Sequence, residues 1–217
     1  MITVIITSYN EPKATERAVN TFLKQKIDED LKVIVMDPFP EVEEYLKKNI
    51  SDPRMEFILD PGEGKPYALN MLFEMLYSEN KDDLLIFTDG DVYVSDYTLS
   101  EIINTFKNKE IGCITGKPVA VNPRNTKYGF WATVMYGGID KVRKRLNKEK
   151  SFFQTSGYLF AIRNGLVKET QADIPEDAII PYFVWKKGYK IGYVPNAEVY
   201  VQYPDNYADW LNQRVRT

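Results

Sequence analysis

Two aspartates separated by one glycine follow an apolar segment near the middle of the chain. Asp89 and Asp91 follow the segment 84–88, which reads Leu, Leu, Ile, Phe and Thr. A pair of carboxylates at the end of a buried strand can hold a hard divalent cation, which prefers oxygen ligands and keeps waters or substrate phosphates in its shell. An isolated Asp-x-Asp is more often an acidic turn. Because this pair follows a predicted buried strand, we predict that it forms a metal site.

The chain contains no histidine. Ser-His-Asp and Cys-His catalysis, histidine-ligated zinc and haem are therefore excluded, and proton transfer falls to other groups, the carboxylates first. A second acidic pair, Glu176 and Asp177, follows Pro175 and opens a segment in which apolar residues have helical spacing. Acidic residues are favoured in the first turn of any helix. A carboxylate at a cleft is also what a general base requires when histidine is absent.

A glycine and a lysine, Gly64 and Lys65, stand where a turn meets a helix start in the segment GEGKPYALN. Backbone amides and a lysine at a helix N-terminus favour a bound phosphate. The segment is not a Walker A motif, because Leu59 occupies the position of its first glycine and Pro66 that of its Ser or Thr. By itself it indicates only a turn followed by a helix.

These residues must be positioned by the elements around them. The first half alternates short apolar, β-branched runs with helical spacing, which predicts βαβ units. Such units form a mainly parallel sheet with helices on both faces, and ligands bind at the carboxyl ends of its strands. The predicted strands are residues 2–7, 32–36, 55–59 and 84–88, and the predicted helices are one ending near Leu23, one over 42–50 and one over 67–76.

The second half is less regular and is predicted to extend the sheet and cover the cleft. The basic run over residues 141–150 is expected to be a solvated helix or loop, and the clustered aromatic residues at 128–136 are expected to pack in the core. The further predicted elements are strands at residues 111–121, 157–162, 190–194 and 199–201, and a helix over 178–187 that Gly188 ends.

Composition bounds the class of protein. A chain of 217 residues with 44% hydrophobic residues and a net charge of −3 predicts one globular domain, with no overall attraction to nucleic acid or an acidic membrane. The N-terminal segment lacks the charged region of a secretory signal, and no apolar run approaches the roughly 20 residues that span a bilayer. Cys113 is the single cysteine, and its thiol is expected to be buried in the protein. A lone cysteine also fits a protein of a reducing compartment. Together these features predict a soluble, cytoplasmic domain.

Several segments match, in chain order, those of one known family. They are VIITSYNE, the strand ending at Asp37, GKPYALN, FTDGDV, SGYLFAIR and PEDAIIPYFVWKKGYKIGYVPNAEVY, and they cover nearly the whole chain. Together they resemble the family 2 glycosyltransferases with the GT-A fold. The resemblance implies one α/β domain over residues 1–217, with a nucleotide-binding half of about 1–122 and a smaller, mixed-sheet acceptor half of about 123–217. It also implies inverting transfer of a sugar from a nucleotide diphosphate sugar, usually a UDP-sugar, to a hydroxyl of a carbohydrate or lipid-linked acceptor.

The resemblance assigns roles to the matching residues. On the donor side, Tyr9 stacks on the base, with Glu11 beside it, and Lys65 faces the diphosphate. The implied donor-binding residues are Thr7, Tyr9, Glu11, Asp37, Lys65 and Asp89, of which Asp37 hydrogen-bonds the base. Asp89 and Asp91 are the implied ligands of a Mn²⁺ or Mg²⁺ ion that stabilises the departing diphosphate charge. Asp177 is the implied base for the acceptor hydroxyl, while Gly157 and Glu176 lie near the acceptor or the diphosphate.

The C-terminal residues Gln213-Arg214-Val215-Arg216-Thr217 resemble the QxxRW-type motif of processive members such as cellulose and hyaluronan synthases. Thr217 stands where that motif has tryptophan. The two arginines, with Gln213, either clamp a diphosphate or form a frayed basic tail, and the sequence favours neither. We also hypothesise that membrane-associated sequence follows Thr217, which would place the domain at the cytoplasmic face of a membrane.

Two other functions are weighed against sugar transfer. A nucleotidyltransferase usually needs a glycine-rich, basic loop directly after its first strand, and TSYNEPKAT has one lysine and no glycine. A non-catalytic module that binds nucleotide sugars would have no chemical need for Asp89, Asp91 and Asp177 together. Both stay as alternatives to a metal-assisted transferase.

Overall fold

The computed structural model describes residues 1–216, with the side chains of Arg214 and Arg216 left out of the description. The strands are β1 (Ile2–Thr7), β2 (Leu31–Asp37), β3 (Met55–Leu59), β4 (Leu84–Asp89), β5 (Tyr93–Val94), β6 (Ile111–Ala120), β7 (Leu159–Arg163) and β8 (Lys190–Val201). The helices are α1 (Pro12–Leu23), α2 (Pro40–Asn49), α3 (Lys65–Leu76), α4 (Thr98–Phe106), α5 (Lys127–Glu149), α6 (Glu176–Lys186) and α7 (Tyr207–Arg216).

An eight-stranded sheet runs through the described chain in the order β3-β2-β1-β4-β7-β6-β8-β5. Strands β3, β2, β1 and β4 are parallel to one another, and β7 runs antiparallel between β4 and β6. In the paired register Thr7 lies opposite Met36 on one side and Asp89 on the other. The carboxyl ends of β1, β2 and β4 therefore meet at one edge of the sheet, where parallel sheets bind ligands.

Helices cover both faces of this sheet, as predicted. Alternate residues of β1 point to opposite sides, so that Val4 and Ile6 pack with α1, α2 and α4 while Ile5 packs with α3 and α6. Burial on both faces explains why β1 and β4 consist of consecutive apolar residues rather than an alternating pattern. None of the helices in the described part of the chain has the length and hydropathy that a membrane span requires.

Helix α3 begins beside this edge because of one glycine. Gly64 has φ = 109°, in the region that residues with a Cβ rarely adopt, and it directly precedes the first helical residue, Lys65. Pro66 follows in the first turn, where its missing N–H would have no helical partner. The turn and helix predicted for this segment are confirmed, and they direct Lys65 toward the sheet edge.

The structure corrects several predicted elements of the second half. Residues 190–194 and 199–201 belong to one strand, β8, and the irregularity lies in its pairing with β6, where the register shifts between Thr115 and Lys117. A proline in this stretch, Pro195, cannot donate a ladder hydrogen bond, which is why the sequence suggested a break there. Helix α4 and the two-residue strand β5 were not predicted. In α5, Tyr136 is buried as expected, whereas Phe130 is 58% exposed.

Candidate active site

A cleft of about 320 Å³ opens at the carboxyl edge of the sheet, between the end of β1, the end of β4 and the start of α3. Several of its lining residues are those that the family resemblance implies for the donor and the metal, and these are Thr7, Tyr9, Glu11, Lys65, Asp89 and Asp91. Other lining residues were not singled out as ligands, and these are Ser8, Pro38, Asp60, Gly62, Gly64, Ala68 and Gly90. Segments that are far apart in the chain thus contribute to a single cavity.

Two carboxylates form the acidic side of the cleft. Partial burial, together with the nearby charges of Asp89 and Glu11, raises the pKa of Asp91 above its ordinary value of 3.8. Such mutual repulsion is relieved when a cation binds between carboxylates. Within residues 1–216 no group of three or more acidic, cysteine or histidine side chains is placed to hold a metal. Two carboxylate oxygens with the remaining ligands from water or phosphate suit Mg²⁺ or Mn²⁺, which bind in that way at phosphate-transfer sites.

Lys65 connects the acidic edge to the second acidic pair. Its Nζ lies 2.7 Å from Oδ1 of Asp89 and 2.6 Å from Oε1 of Glu176, at the start of α6. Burial alone would lower the pKa of Lys65, but the carboxylates of Asp89 and Glu176 outweigh it and raise that pKa above 10.5. The lysine is therefore a fixed cation between the two acidic pairs. The ion pair between Lys65 and Asp89 also shows that the carboxylate of Asp89 can bind a cation at this position.

Asp177 lies next to Glu176 and is held from two directions. The backbone N–H of Gly157 donates to its Oδ2 at 3.0 Å, while the N–H and hydroxyl of Thr155 donate to its backbone carbonyl at 3.1 and 2.8 Å. Burial and the neighbouring charge of Glu176 raise the pKa of Asp177, whereas the Gly157 N–H and the charge of Lys65 lower it, and the net direction is upward from 3.8. A basic, oriented carboxylate results, as a proton acceptor requires.

Gly157 leaves room in front of this pair. A Cβ built on it would lie 3.5 Å from Oδ2 of Asp177 and 3.7 Å from Oε1 of Glu176, in ordinary contact with both carboxylates. The structure thus brings Gly157, Glu176 and Asp177 together beside Lys65. Through Lys65, this group adjoins the cleft that contains Asp89 and Asp91.

Asp37 is placed differently from the other donor-side residues. It is fully buried, and its carboxylate accepts hydrogen bonds from Ser8 Oγ at 2.6 Å, the Asn10 N–H at 3.0 Å and the Phe39 N–H at 2.9 Å. These bonds fix the loop that carries Tyr9, whose ring is 71% exposed and packs edge-on against Phe39 with centroids 5.1 Å apart. The cleft itself is lined by the next residue, Pro38. In the sequence, Ser8, directly after β1, was the residue that could have indicated a hydrogen bond to Asp37.

The C-terminal motif belongs to helix α7, which packs on α5. The ring centroids of Trp210 and Trp131 are 5.9 Å apart, and Nε1 of Trp210 donates to the hydroxyl of Tyr203 at 3.0 Å. Gln213 is half-buried in this helix. The side chains of Arg214 and Arg216, and all of Thr217, lie outside the described residues, so their predicted roles stay predictions.

Gly90 allows the two aspartates to approach the β1 loop. A Cβ on this residue would lie 2.5 Å from Cβ of Ser8 and 3.0 Å from Oγ1 of Thr15, far closer than packed atoms come. We therefore expect Gly90→Ala to lower the free energy of unfolding by about 1–3 kcal/mol, the usual penalty for overpacking. Urea denaturation of the purified protein measures this change.

The matched control for Gly90→Ala is Gly137→Ala in helix α5. A Cβ at Gly137 meets no atom within 4 Å, and alanine is favoured over glycine inside a helix. Gly137→Ala is expected to raise the free energy of unfolding by about 0.5–1 kcal/mol. Equal changes in the free energy of unfolding for the two substitutions would show that a Cβ at residue 90 does not clash with Ser8.

The strand order, the helices on both faces and the acidic carboxyl edge define a GT-A glycosyltransferase fold. The solved structure of mannosyltransferase PcManGT from Pyrobaculum calidifontis, in complex with GDP-Man and Mn²⁺, aligns with 99% of this chain and 61% of its own chain, with a TM-score of 0.73 and 19% identity. The structure of GalNAc-T7 with UDP, GalNAc and Mn²⁺ aligns with 94% of this chain and 44% of its own, with a TM-score of 0.63 and 18% identity. At these identities the likeness concerns the fold, and the predicted fold class is confirmed.

The sequence pattern of the family described as "Glycosyltransferase like family 2" matches residues 1–217. The chain therefore belongs to this enzyme family, and the resemblance seen in its motifs is confirmed. An N-acetylglucosaminyltransferase of Rhizobium meliloti (strain 1021) is 25% identical over 241 residues, which cover 99% of this chain and 54% of the relative. The chain thus spans about half the length of that curated relative.

Proposed function

We propose that the chain transfers a sugar from a nucleotide diphosphate sugar to an acceptor hydroxyl, with inversion at the anomeric carbon and with Asp177 as the base. The observation that carries this proposal is the double ion pair of Lys65, because it brings the Asp89 edge and the Asp177 pair to one place. A donor site and a proton acceptor in such proximity are what a direct displacement needs.

In the proposed reaction a new bond forms between the acceptor oxygen and the anomeric carbon while the bond from that carbon to the diphosphate oxygen breaks. The electron pair of the broken bond leaves with the diphosphate, and Asp177 takes the hydroxyl proton. The Gly157 N–H holds Oδ2 of Asp177 in position. Attack from the side opposite the leaving group inverts the anomeric centre, so that a single base suffices.

The donor is proposed to bind in the cleft beside Lys65. Tyr9 is proposed to stack on the base, and Lys65 contributes a positive charge to the diphosphate. Thr7 and Glu11 line the same cleft. The buried Asp37 is proposed to act on the base by fixing the loop that carries Tyr9. Glu176 is proposed to act through Lys65.

Asp89 and Asp91 are proposed to hold a Mn²⁺ or Mg²⁺ ion. When bound, the ion would neutralise the negative charge that develops on the leaving diphosphate. The two carboxylates fit this group, since Asp89 already binds the ammonium of Lys65, and burial with the charge of Asp89 raises the pKa of Asp91. Both structural neighbours named above contain Mn²⁺.

The nucleotide and the sugar are proposed from the relatives. One structural neighbour contains GDP-Man and the other contains UDP, so the fold accepts both nucleotides. The curated relative is an N-acetylglucosaminyltransferase, which favours UDP-N-acetylglucosamine as the first donor to test. The proposed acceptor is a carbohydrate, free or lipid-linked, and association with a membrane is proposed as well.

A thermal-shift screen tests this proposal. Nucleotide diphosphates and nucleotide sugars are added with and without Mn²⁺, because a ligand that binds the native state raises its apparent stability. We expect a uridine or guanosine diphosphate compound to raise the unfolding temperature only together with the metal. A screen in which none of these compounds stabilises the protein would contradict the proposed function.

A further inference from the structure

Asp89 has two competing partners in this account. In the free protein its Oδ1 binds Nζ of Lys65 at 2.7 Å, yet the proposed function needs the same carboxylate for a divalent cation. A divalent cation on either oxygen of Asp89 would lie close to this ammonium and would be repelled by it. We therefore expect metal binding to stretch or break the ion pair.

Lys65 has a second anionic partner that the metal does not require. Its Nζ lies 2.6 Å from Oε1 of Glu176, and the Glu176 side chain is only 14% exposed. Because Glu176 is the first residue of α6 and Lys65 the first of α3, two helix starts fix the two ends of this pair. Lys65 can therefore give up Asp89 without leaving the cleft.

We propose that Lys65 is a built-in competitor for the metal, occupying Asp89 in the free protein and passing to the donor diphosphate when metal and nucleotide bind together. Glu176 is the positioning residue that holds the lysine in both states. The inference rests on the proposed function for the identity of the two ligands.

The exchange couples the two ligands energetically. A metal that binds alone breaks the Lys65–Asp89 pair and provides no new anion for the lysine, whereas the diphosphate supplies one. Metal and nucleotide therefore bind cooperatively, and by linkage each raises the affinity of the other by the same factor. The protein is thereby protected from loading a metal without its donor.

The test measures binding of Mn²⁺ alone, followed by the electron paramagnetic resonance signal of free Mn²⁺ as protein is added. Lys65→Met keeps most of the side-chain stem but removes the competing cation. We expect this variant to bind Mn²⁺ at least about tenfold more tightly than the wild type, since one charge-assisted hydrogen bond no longer has to be broken. Lys65→Arg retains a cation and is expected to stay within about threefold of the wild type.

Arg17→Met is the matched control for loss of a nearby positive charge. Arg17 donates to the backbone oxygen of Asp91 at 3.4 Å, and its guanidinium lies over the ring of Tyr93. If Lys65 acts by contact, Arg17→Met should change Mn²⁺ affinity by less than about threefold. A similar gain in both variants would reduce the effect to general electrostatics and overturn the inference.

The outcomes separate the inference from the proposed function. Equal Mn²⁺ affinities in the wild type and Lys65→Met overturn the competitor role, even if UDP binds normally with the metal. Tighter Mn²⁺ binding in Lys65→Met supports it, even if UDP fails to bind and the proposed donor is wrong. If Lys65→Met shows no cooperative thermal unfolding transition and is therefore not folded, Lys65→Gln is used instead. It is likewise expected to bind Mn²⁺ more tightly than the wild type.

Discussion

Asp177→Asn is expected to lower the rate of sugar transfer by at least about a hundredfold, the usual contribution of a positioned general base. The dissociation constant for the nucleotide diphosphate with Mn²⁺ should change by less than about twofold, because Asp177 acts on the acceptor hydroxyl and not on the donor. An asparagine oxygen can still accept the hydrogen bond from the Gly157 N–H, so the local geometry is preserved. Transfer is measured by release of the nucleotide diphosphate, and binding by calorimetry.

The pH dependence gives a second readout of the same residue. Burial and the charge of Glu176 raise the pKa of Asp177, so the wild-type kcat/KM should increase with pH as this carboxyl ionises, at a pH above its ordinary pKa of 3.8. The asparagine variant should lack this limb. A wild-type profile without an acidic limb assignable to this residue, or full activity in the variant, would exclude Asp177 as the base.

Stability separates a catalytic from a structural role. A carboxyl whose pKa is higher in the folded than in the unfolded state contributes its full stability below the unfolded value and loses it as pH rises through the folded value. Asp177→Asn should therefore be at least as stable as the wild type at neutral pH, with no advantage below about pH 3.8. Asp173→Asn, an exposed carboxylate in the segment just before α6, is the control that should change neither rate nor stability.

Asp91→Asn is expected to abolish the effect of Mn²⁺ on nucleotide binding. In the wild type Mn²⁺ should tighten UDP binding, and in the variant UDP should bind about tenfold to a hundredfold more weakly when the metal is present, because a charged metal ligand has been lost. With a chelator present, the two proteins should bind UDP equally. Calorimetric titrations with and without Mn²⁺ measure these four affinities.

The control for Asp91→Asn is Asp96→Asn, an exposed aspartate just after β5. This variant should bind UDP with the wild-type affinity both with and without Mn²⁺. The Asp91 variant itself should fold normally, since burial, together with repulsion from Asp89 and Glu11, disfavours the charged form of Asp91 in the native state. If UDP binding in the wild type does not depend on metal, the role proposed for Asp91 is wrong.

The sequence predicted best those elements that are set by local pattern. Strand β1 was expected at residues 2–7 and found at Ile2–Thr7, because six consecutive apolar or β-branched residues buried on both faces have no alternative of that length. Helix α3 was recognised in the same way from its glycine turn and apolar spacing. In both cases the residues that determine the element lie within it.

Elements determined by distant partners were missed. Strand β5 has only two residues, and it is a strand because Tyr93 pairs with Tyr200 and Val94 with Val199 of β8. Nothing local distinguishes it from a turn. Helix α5 spans 23 residues, of which only the basic run from residue 141 was expected to be a helix or a loop. Its apolar contacts lie with residues such as Tyr203 that come much later in the chain.

The site was predictable as a set of residues but not as a set of contacts. The motifs around Asp89 and Glu176 each suggested acidic chemistry, yet neither indicated that Lys65 would bind both carboxylates. Likewise, the family resemblance implied that Asp37 binds the base, while its hydrogen bonds to Ser8, Asn10 and Phe39 became visible only in the fold. Contacts between distant segments depend on how the sheet orders its strands, which local patterns do not specify.

The most direct test of the central claim is a crystal structure of the protein grown with Mn²⁺ and UDP, with anomalous scattering recorded at the manganese edge. The account predicts a manganese peak within coordination distance of Asp91 and of the diphosphate oxygens, with the uracil beside Tyr9 and Nζ of Lys65 on the diphosphate. A nucleotide bound elsewhere, or a manganese peak away from Asp89 and Asp91, would contradict it.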